Sequence, residues 1–223
     1  MIKAVVFDFD GLILDTESTD YESWHETYKV YGGELPRDIW NGNIGAIGLF
    51  DPYSHLEEQV GRRLDRDAVL AERRRRDEEL LAAQVVLPGV EAYLSQAREM
   101  GLGIGLASSS KHEWVDPHLS RLGLRDYFDV VRCRDDVGDR GKPDPAVYQA
   151  AVDGLGVAAG SAVAFEDSPI GALAAKRAGL YCVAVPNQMT QDLSFDHADL
   201  RVVSLAAQPL AQLLLSLNGS DGG

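Results

Sequence analysis

An α/β fold, a doubly wound parallel sheet with a block of helices inserted after its first strand, is predicted by three features of the 223-residue sequence. From Val90 to Val185, short apolar runs alternate with helix-length segments, the pattern of repeated strand and crossover helix. The opening run Ile2 to Phe7 leads directly into Asp8-Phe9-Asp10-Gly11, so a buried strand ends in acids and a sharp turn. Between them, Thr16 to about Gln84 shows helical periodicity alone, and Leu87-Pro88-Gly89-Val90 breaks it.

Within the inserted block, Tyr21, Trp24, Tyr28 and Tyr31 recur at helical spacing, and this aromatic stripe reads as packing rather than recognition. Leu56, Val60 and Leu64 mark a second helix by the same spacing. The glycine-rich loop Asn41 to Gly48 follows no strand and lacks the Lys-Ser or Lys-Thr ending of a P-loop, which argues against a nucleotide cradle. Glu72 to Glu79 pairs opposite charges four residues apart and reads as a solvated helix face.

After the break, a helix is expected to about Met100, then a strand over Gly103 to Ala107 and a helix carrying Trp114, Val115, Leu119 and Leu122. A strand over Tyr127 to Arg132, a helix over Val147 to Leu155 and a strand over Ala162 to Phe165 follow. A helix from Ile170 to Ala178, a strand from Tyr181 to Val185, a short strand near Val202 and a helix over Leu210 to Leu217 complete the domain. The predicted organisation is a core of residues 1–15 and 86–218, a helical insertion of residues 16–85, and a tail, 219–223, expected to be disordered.

The balance of 21 basic against 35 acidic residues gives a formal charge of -14, which disfavours nucleic acid and anionic membrane surfaces as partners. Small phosphorylated substrates remain compatible, because local groups rather than the overall field capture them. Cys133 and Cys182 lack metal or redox spacing and are expected to be reduced and inert. Met1-Ile2-Lys3 leads at once into the first strand and no apolar run approaches a membrane span, so a cytoplasmic protein is expected, with a monomer as the default.

The acids after the first strand carry the chemical signal. Asp8 and Asp10 repel and cost desolvation energy, which a cation or a proton transfer would justify, and a hard divalent metal suits them best. An acidic turn that caps a helix near Asp15 or Thr16 is the structural alternative. An EF-hand loop does not fit, because its glycine stands at the sixth position and Gly11 is fourth from Asp8.

Asp8-Phe9-Asp10-Gly11-Leu12-Ile13-Leu14-Asp15-Thr16-Glu17 resembles the first signature of the haloacid dehalogenase-like hydrolase superfamily, in the branch of β-phosphoglucomutase and small-metabolite phosphatases. Leu106-Ala107-Ser108-Ser109-Ser110, Lys142-Pro143-Asp144-Pro145 and Phe165-Glu166-Asp167-Ser168-Pro169-Ile170-Gly171 resemble the second, third and fourth signatures, in order. Each alone has a plainer explanation: Ser108 to Ser110 and Asp167-Ser168-Pro169 as helix caps, Lys142 as a solvated loop residue. Asp8, Ser108 and Glu166-Asp167 are each expected at a strand's carboxyl end, on one edge of the sheet.

The resemblance implies a Rossmann-like core with an inserted α-helical cap domain. It implies Asp8 as nucleophile, forming an aspartyl-phosphate, and Asp10 as general acid and base. Mg²⁺ would be held by Asp8, the Asp10 backbone carbonyl and Asp167, with Glu166 in the second shell or acting through water. Ser108 and the Ser109 amide, at a helix N-terminus, would bind the phosphoryl group, and Lys142 would neutralise charge on it and on Asp8.

Departures from the pattern refine the expectation. Asp10 argues for phosphoryl rather than halide chemistry, and Lys29 lacks the context of a Schiff-base lysine. Asp20 stands where β-phosphoglucomutases carry a histidine, and Gly42 to Gly48 contains no basic residue to grip a second phosphate, although Lys111 or Arg62 could substitute. The expected function is a Mg²⁺-dependent phosphatase of a small phosphorylated metabolite, with a sugar phosphate as the default substrate. A β-phosphoglucomutase-like phosphomutase and a non-catalytic metabolite-binding protein are the alternatives.

Overall fold

The computed structural model describes residues 1–41 and 50–218, so the loop expected over Gly42 to Gly48 and the tail from residue 219 lie outside the described residues. The chain divides into two compact units, Met1–Leu14 with Val85–Gly223, and Asp15–Gln84.

The larger unit is built on six parallel strands: β1 (Ala4–Phe7), β2 (Gly103–Ala107), β3 (Val130–Arg132), β4 (Ala162–Glu166), β5 (Tyr181–Ala184) and β6 (Leu200–Arg201). Their order is β3-β2-β1-β4-β5-β6, which puts β1 centrally between β2 and β4. Phe7 lies in register with both Leu106 and Phe165, so Asp8, Ser108 and Glu166 emerge at the same edge.

Alternation along the strands gives the two faces different textures. Ala4, Val6, Ala162, Ala164, Cys182 and Ala184 belong to one buried cluster with Val147, Tyr148, Ala151, Val152, Ala172 and Ala175. These helical residues come from α7 (Ala146–Leu155) and α8 (Pro169–Arg177), and the small strand side chains let both helices lie close. The other face is aromatic: Phe7 and Phe165 approach at 5.0 Å, and Tyr93 of α5 (Val90–Glu99) meets Phe165 edge-on at 5.4 Å. Two further helices, α6 (His112–Arg121) and α9 (Leu210–Asn218), complete the unit.

Among the described residues of the second unit there are four helices: α1 (Thr16–Tyr31), α2 (Arg37–Asn41), α3 (Pro52–Val60) and α4 (Arg66–Ala83). The Asp15 carboxylate accepts the Ser18 N–H at 3.0 Å and caps α1, which ends at the left-handed Gly32. Trp24 and Tyr28 of the aromatic stripe are buried, and the Tyr28 hydroxyl donates to the Pro52 carbonyl at 2.6 Å. Thr19, Ser23 and Thr27 are buried on α1 as well, each hydroxyl donating to a carbonyl in the preceding turn.

Several boundaries differ from expectation. Leu64 is not helical, because α3 stops at Gly61 in the left-handed conformation. The strand expected from Tyr127 shrinks to Val130–Arg132, since Arg125–Tyr127 form a 3-10 turn. The charged run on α4 is not a wholly solvated face: Arg75 pairs with Glu72 and Glu79 at 2.6 Å outside, whereas Asp77 is buried and Arg73 pairs with Asp20 and Asp77. Both cysteines are free and buried, and burial pushes the Cys133 thiol up to about 12. No helix among the described residues is long and apolar enough to cross a membrane.

Candidate active site

Every strand of a parallel sheet ends its carboxyl edge with backbone groups that must find partners, and here acidic side chains and turns occupy that edge. The chain leaves β1 in a turn that closes through Gly11 N–H to the Leu14 carbonyl at 2.8 Å and Ile13 N–H to the Phe9 carbonyl at 3.0 Å. Gly11 has φ +76°, and a β-carbon there would collide with the Asp167 carboxylate, so glycine is required twice over. Asp8 and Asp10 are thereby held on either side of the buried Phe9.

Lys142 is the centre of the charge arrangement. It is buried, and its Nζ donates to Asp8 Oδ1 at 2.5 Å and to Glu166 Oε1 at 2.6 Å. The Tyr148 hydroxyl also donates to Glu166 Oε1, and the Lys142 ammonium lies 5.1 Å from the Tyr148 ring centroid. Burial raises the Asp8 carboxyl above the usual range and the Glu166 charge adds to this, while Lys142 opposes it. The two carboxylates in turn hold the Lys142 ammonium above the usual lysine value despite its burial.

Asp8, Glu166 and Asp167 offer carboxylate oxygens that all lie within 4.8 Å of one another, and all three residues are buried. A set of hard anionic oxygens at this spacing, with Lys142 as the cation touching two of them, fits a hard divalent metal. Asp167 is oriented by Asn187, whose side-chain N–H groups donate to Asp167 Oδ2 at 2.8 Å and to the Gly11 carbonyl at 3.1 Å. Glu166 is committed differently: Oε1 serves Lys142 and Tyr148, and the Ser168 hydroxyl approaches Oε2 at 3.3 Å.

After β2 the three serines do separate tasks. The buried Ser108 hydroxyl accepts the Ser110 N–H at 2.9 Å and reaches Asp10 Oδ2 at 3.3 Å. The Ser109 hydroxyl accepts the Lys142 backbone N–H at 3.0 Å, tying this loop to the lysine loop. Ser110 donates to Asp10 Oδ2 at 2.7 Å, and Trp114 Nε1 donates to Asp10 Oδ1 at 2.9 Å. These serines lie just before α6, which begins at His112 with Lys111 at its N-cap.

The structure thus brings Asp8, Asp10, Ser108, Ser109, Lys142, Glu166 and Asp167 to one edge. Sequence reasoning assigned no role to Ser110, Trp114, Tyr148 or Asn187. Asn187 carried a signal, since it stands two residues past the end of a predicted strand, on the edge where the acids collect. Tyr148 and Trp114 carried none, because an aromatic on a helix reads first as core.

Residues 2–179 match the haloacid dehalogenase-like hydrolase family. YhcW of Bacillus subtilis strain 168, whose phosphatase name is itself provisional, is 46% identical over 99% of this chain and 100% of its own. The phosphorylated carbohydrates phosphatase of Thermotoga maritima is 33% identical over 80% of this chain and 82% of its own. The β-phosphoglucomutase of Bacillus subtilis strain 168 is 29% identical over 82% and 83%. CbbY of Rhodobacter sphaeroides, solved in complex with phosphate, aligns with a TM-score of 0.74 at 28% identity, covering 96% of this chain and 99% of that one. With its four signatures gathered on one sheet edge and its family match covering residues 2–179, the chain belongs to the haloacid dehalogenase-like hydrolases, in the branch that includes β-phosphoglucomutase.

Proposed function

We propose that this chain, a phosphatase of that family, hydrolyses small phosphorylated metabolites, sugar phosphates foremost, with Mg²⁺ and through an aspartyl-phosphate on Asp8. The observation that carries the reading is the buried Lys142 ammonium, set between Asp8 and Glu166 beside Asp167. Phosphoryl transfer is chiefly positioning and charge compensation, and these groups supply both.

In the first half-reaction an Asp8 carboxylate oxygen attacks phosphorus, the bond from phosphorus to the leaving oxygen breaks, and Asp10 gives that oxygen its proton. In the second, water attacks phosphorus, Asp10 takes the water proton, and the acyl-phosphate bond breaks to restore Asp8 and release inorganic phosphate. Lys142 offsets the developing charge while Glu166 and Tyr148 hold it, and the Ser108 hydroxyl with the Ser109 N–H binds phosphoryl oxygens. Asp8, Asp167 and the Asp10 backbone carbonyl would hold Mg²⁺, which when bound supplies electrostatic stabilisation of the phosphoryl charge; Glu166 acts through Lys142 or through water.

Hydrolysis is favoured over phosphomutase chemistry by Asp20, which stands where the mutases carry a histidine and is ion-paired with Arg73. The unit Asp15–Gln84 is read as the cap that sets specificity.

The test is phosphate release from sugar, polyol and nucleoside monophosphates, with and without Mg²⁺, for the wild type and Asp8→Asn. Release that needs both Mg²⁺ and Asp8 is the expected result. Turnover by Asp8→Asn near the wild-type rate would refute the covalent route. Isomerisation of glucose 1-phosphate without phosphate release, on adding a bisphosphate primer, would replace hydrolysis with the mutase reading.

A further inference from the structure

We propose that Trp114 is a positioning residue for Asp10, a role that rests on the acid and base assignment of Asp10 above. Asp10 stands at the start of the turn over residues 11–13 and is only partly buried, so packing alone does not fix its carboxylate. Hydrogen bonds do: Trp114 Nε1 donates to Oδ1 at 2.9 Å and the Ser110 hydroxyl to Oδ2 at 2.7 Å. With a separate donor on each oxygen, rotation about either side-chain torsion breaks at least one bond.

Trp114 is itself held. One turn later on α6, His118 meets the indole edge-to-face at 4.6 Å, and the His118 ring lies 6.2 Å from the ring of Phe9. Phe9 is fully buried and precedes Asp10 in the chain, so Asp10, Trp114, His118 and Phe9 form a closed circuit anchored in the core. The geometry converts the rigidity of α6 into a fixed direction for a carboxylate on a different element.

The chemistry of the indole suits the task. Ser108 reaches Asp10 only at 3.3 Å, and its hydroxyl is also the one assigned to the phosphoryl group. Substrate therefore competes for Ser108, leaving Trp114 and Ser110 to keep Asp10 in place. An indole N–H is a neutral donor that accepts nothing, so it orients the carboxylate without adding a cation that would also draw the phosphate.

Trp114→Phe removes the N–H donor together with the fused second ring, and leaves one aromatic ring for the edge contact with His118. The readout is kcat/KM, which covers the steps through loss of the leaving group, for the best sugar phosphate and for p-nitrophenyl phosphate. Nitrophenolate departs without a proton, whereas a sugar alkoxide needs Asp10 in place. Trp114→Phe is expected to lower the sugar-to-aryl ratio by between about ten- and a hundred-fold. It should cost little more when added to Asp10→Asn, and Ser110→Thr should restore what Ser110→Ala loses.

An unchanged ratio, an equal loss on both substrates, or full additivity with Asp10→Asn would overturn the proposal. Thermal unfolding checks that Trp114→Phe is folded, and if it is not, the Ser110→Ala and Ser110→Thr pair decides by the same ratio. Asp8→Asn run alongside separates the two readings. Turnover by that variant sinks the covalent route, whereas a dead Asp8→Asn with an unchanged Trp114→Phe ratio sinks only the positioning role.

Discussion

Replacing Lys142 by Met removes the one cation, among the described residues, that touches both Asp8 and Glu166, while keeping nearly the same volume and an unbranched stem. Both partners are buried, Glu166 with no exposure at all, and their bonds to Nζ are 2.5 and 2.6 Å. Two carboxylates then face each other without compensation, a defect that costs about 3–5 kcal/mol when one partner of a buried pair is removed. Proton uptake by one carboxyl caps the loss, which sets the lower part of that range as the expected value. A domain with roughly 5–15 kcal/mol of stability survives this, so the variant can be studied folded. Urea unfolding in EDTA, for the wild type, Lys142→Met, Glu166→Gln and the double variant, measures the coupling directly. Glu166→Gln should recover part of the Lys142→Met loss, with an interaction energy of about 1–3 kcal/mol. Phosphate release should fall at least about a hundred-fold in Lys142→Met. A destabilisation below about 1 kcal/mol, with strict additivity in the double variant, would refute the view that Lys142 holds the acid cluster together.

Two further outcomes follow from geometry elsewhere. At Gly171 a β-carbon would fall on the Glu166 carboxylate, so Gly171→Ala should push Glu166 off Lys142. The expected result is a stability loss of about 1–3 kcal/mol, despite alanine's better helix propensity, with at least a ten-fold fall in kcat. A variant that matches the wild type in both would show that the carboxylate has room to move. Burial pulls the His112 imidazole down, but hydrogen bonds and charges from Asp136 and Asp116 carry it above the ordinary histidine value. The folded state therefore binds the extra proton, and the stabilisation is full below about 6.5 and fades as pH rises past the raised value. His112→Gln should lose more stability at about pH 6 than at about pH 8.5, by under about 1 kcal/mol because the cluster is partly exposed; the opposite trend would contradict the assignment.

What could be read from the chain before its structure was the part written in local chemistry. Asp8, Ser108 and Glu166 each follow a short apolar run, and in a parallel sheet that suffices to put them on one edge. Periodicity failed at Leu64, where the apolar spacing continued but Gly61 had already ended the helix. It failed again at Asp77, which looks solvated beside Glu78 and Glu79 and is buried, with Arg73 beside it. Trp114 and Tyr148 were illegible as site residues for a different reason: each acts on a partner on another element, and only the crossover connections decide that they meet.

The hydrogen bond from Leu87 N–H to the Ile13 carbonyl, 2.9 Å long, joins the backbone just before the Asp15–Gln84 unit leaves to the backbone just after it returns. The two ends of the excursion are thus pinned together by the core itself. For a segment whose ends already coincide, doubling its length adds only about 0.6 kcal/mol of loop-closure entropy. Insertions, deletions or wholesale exchange between those two points are therefore cheap for the sheet, whereas a single added residue between Asp8 and Leu14 would undo the turn that sets Asp10. On the proposed reading of that unit as the cap, substrate preference can change while the chemistry stays fixed, and a chimaera joined at Leu14 and Val85 would exchange one without the other.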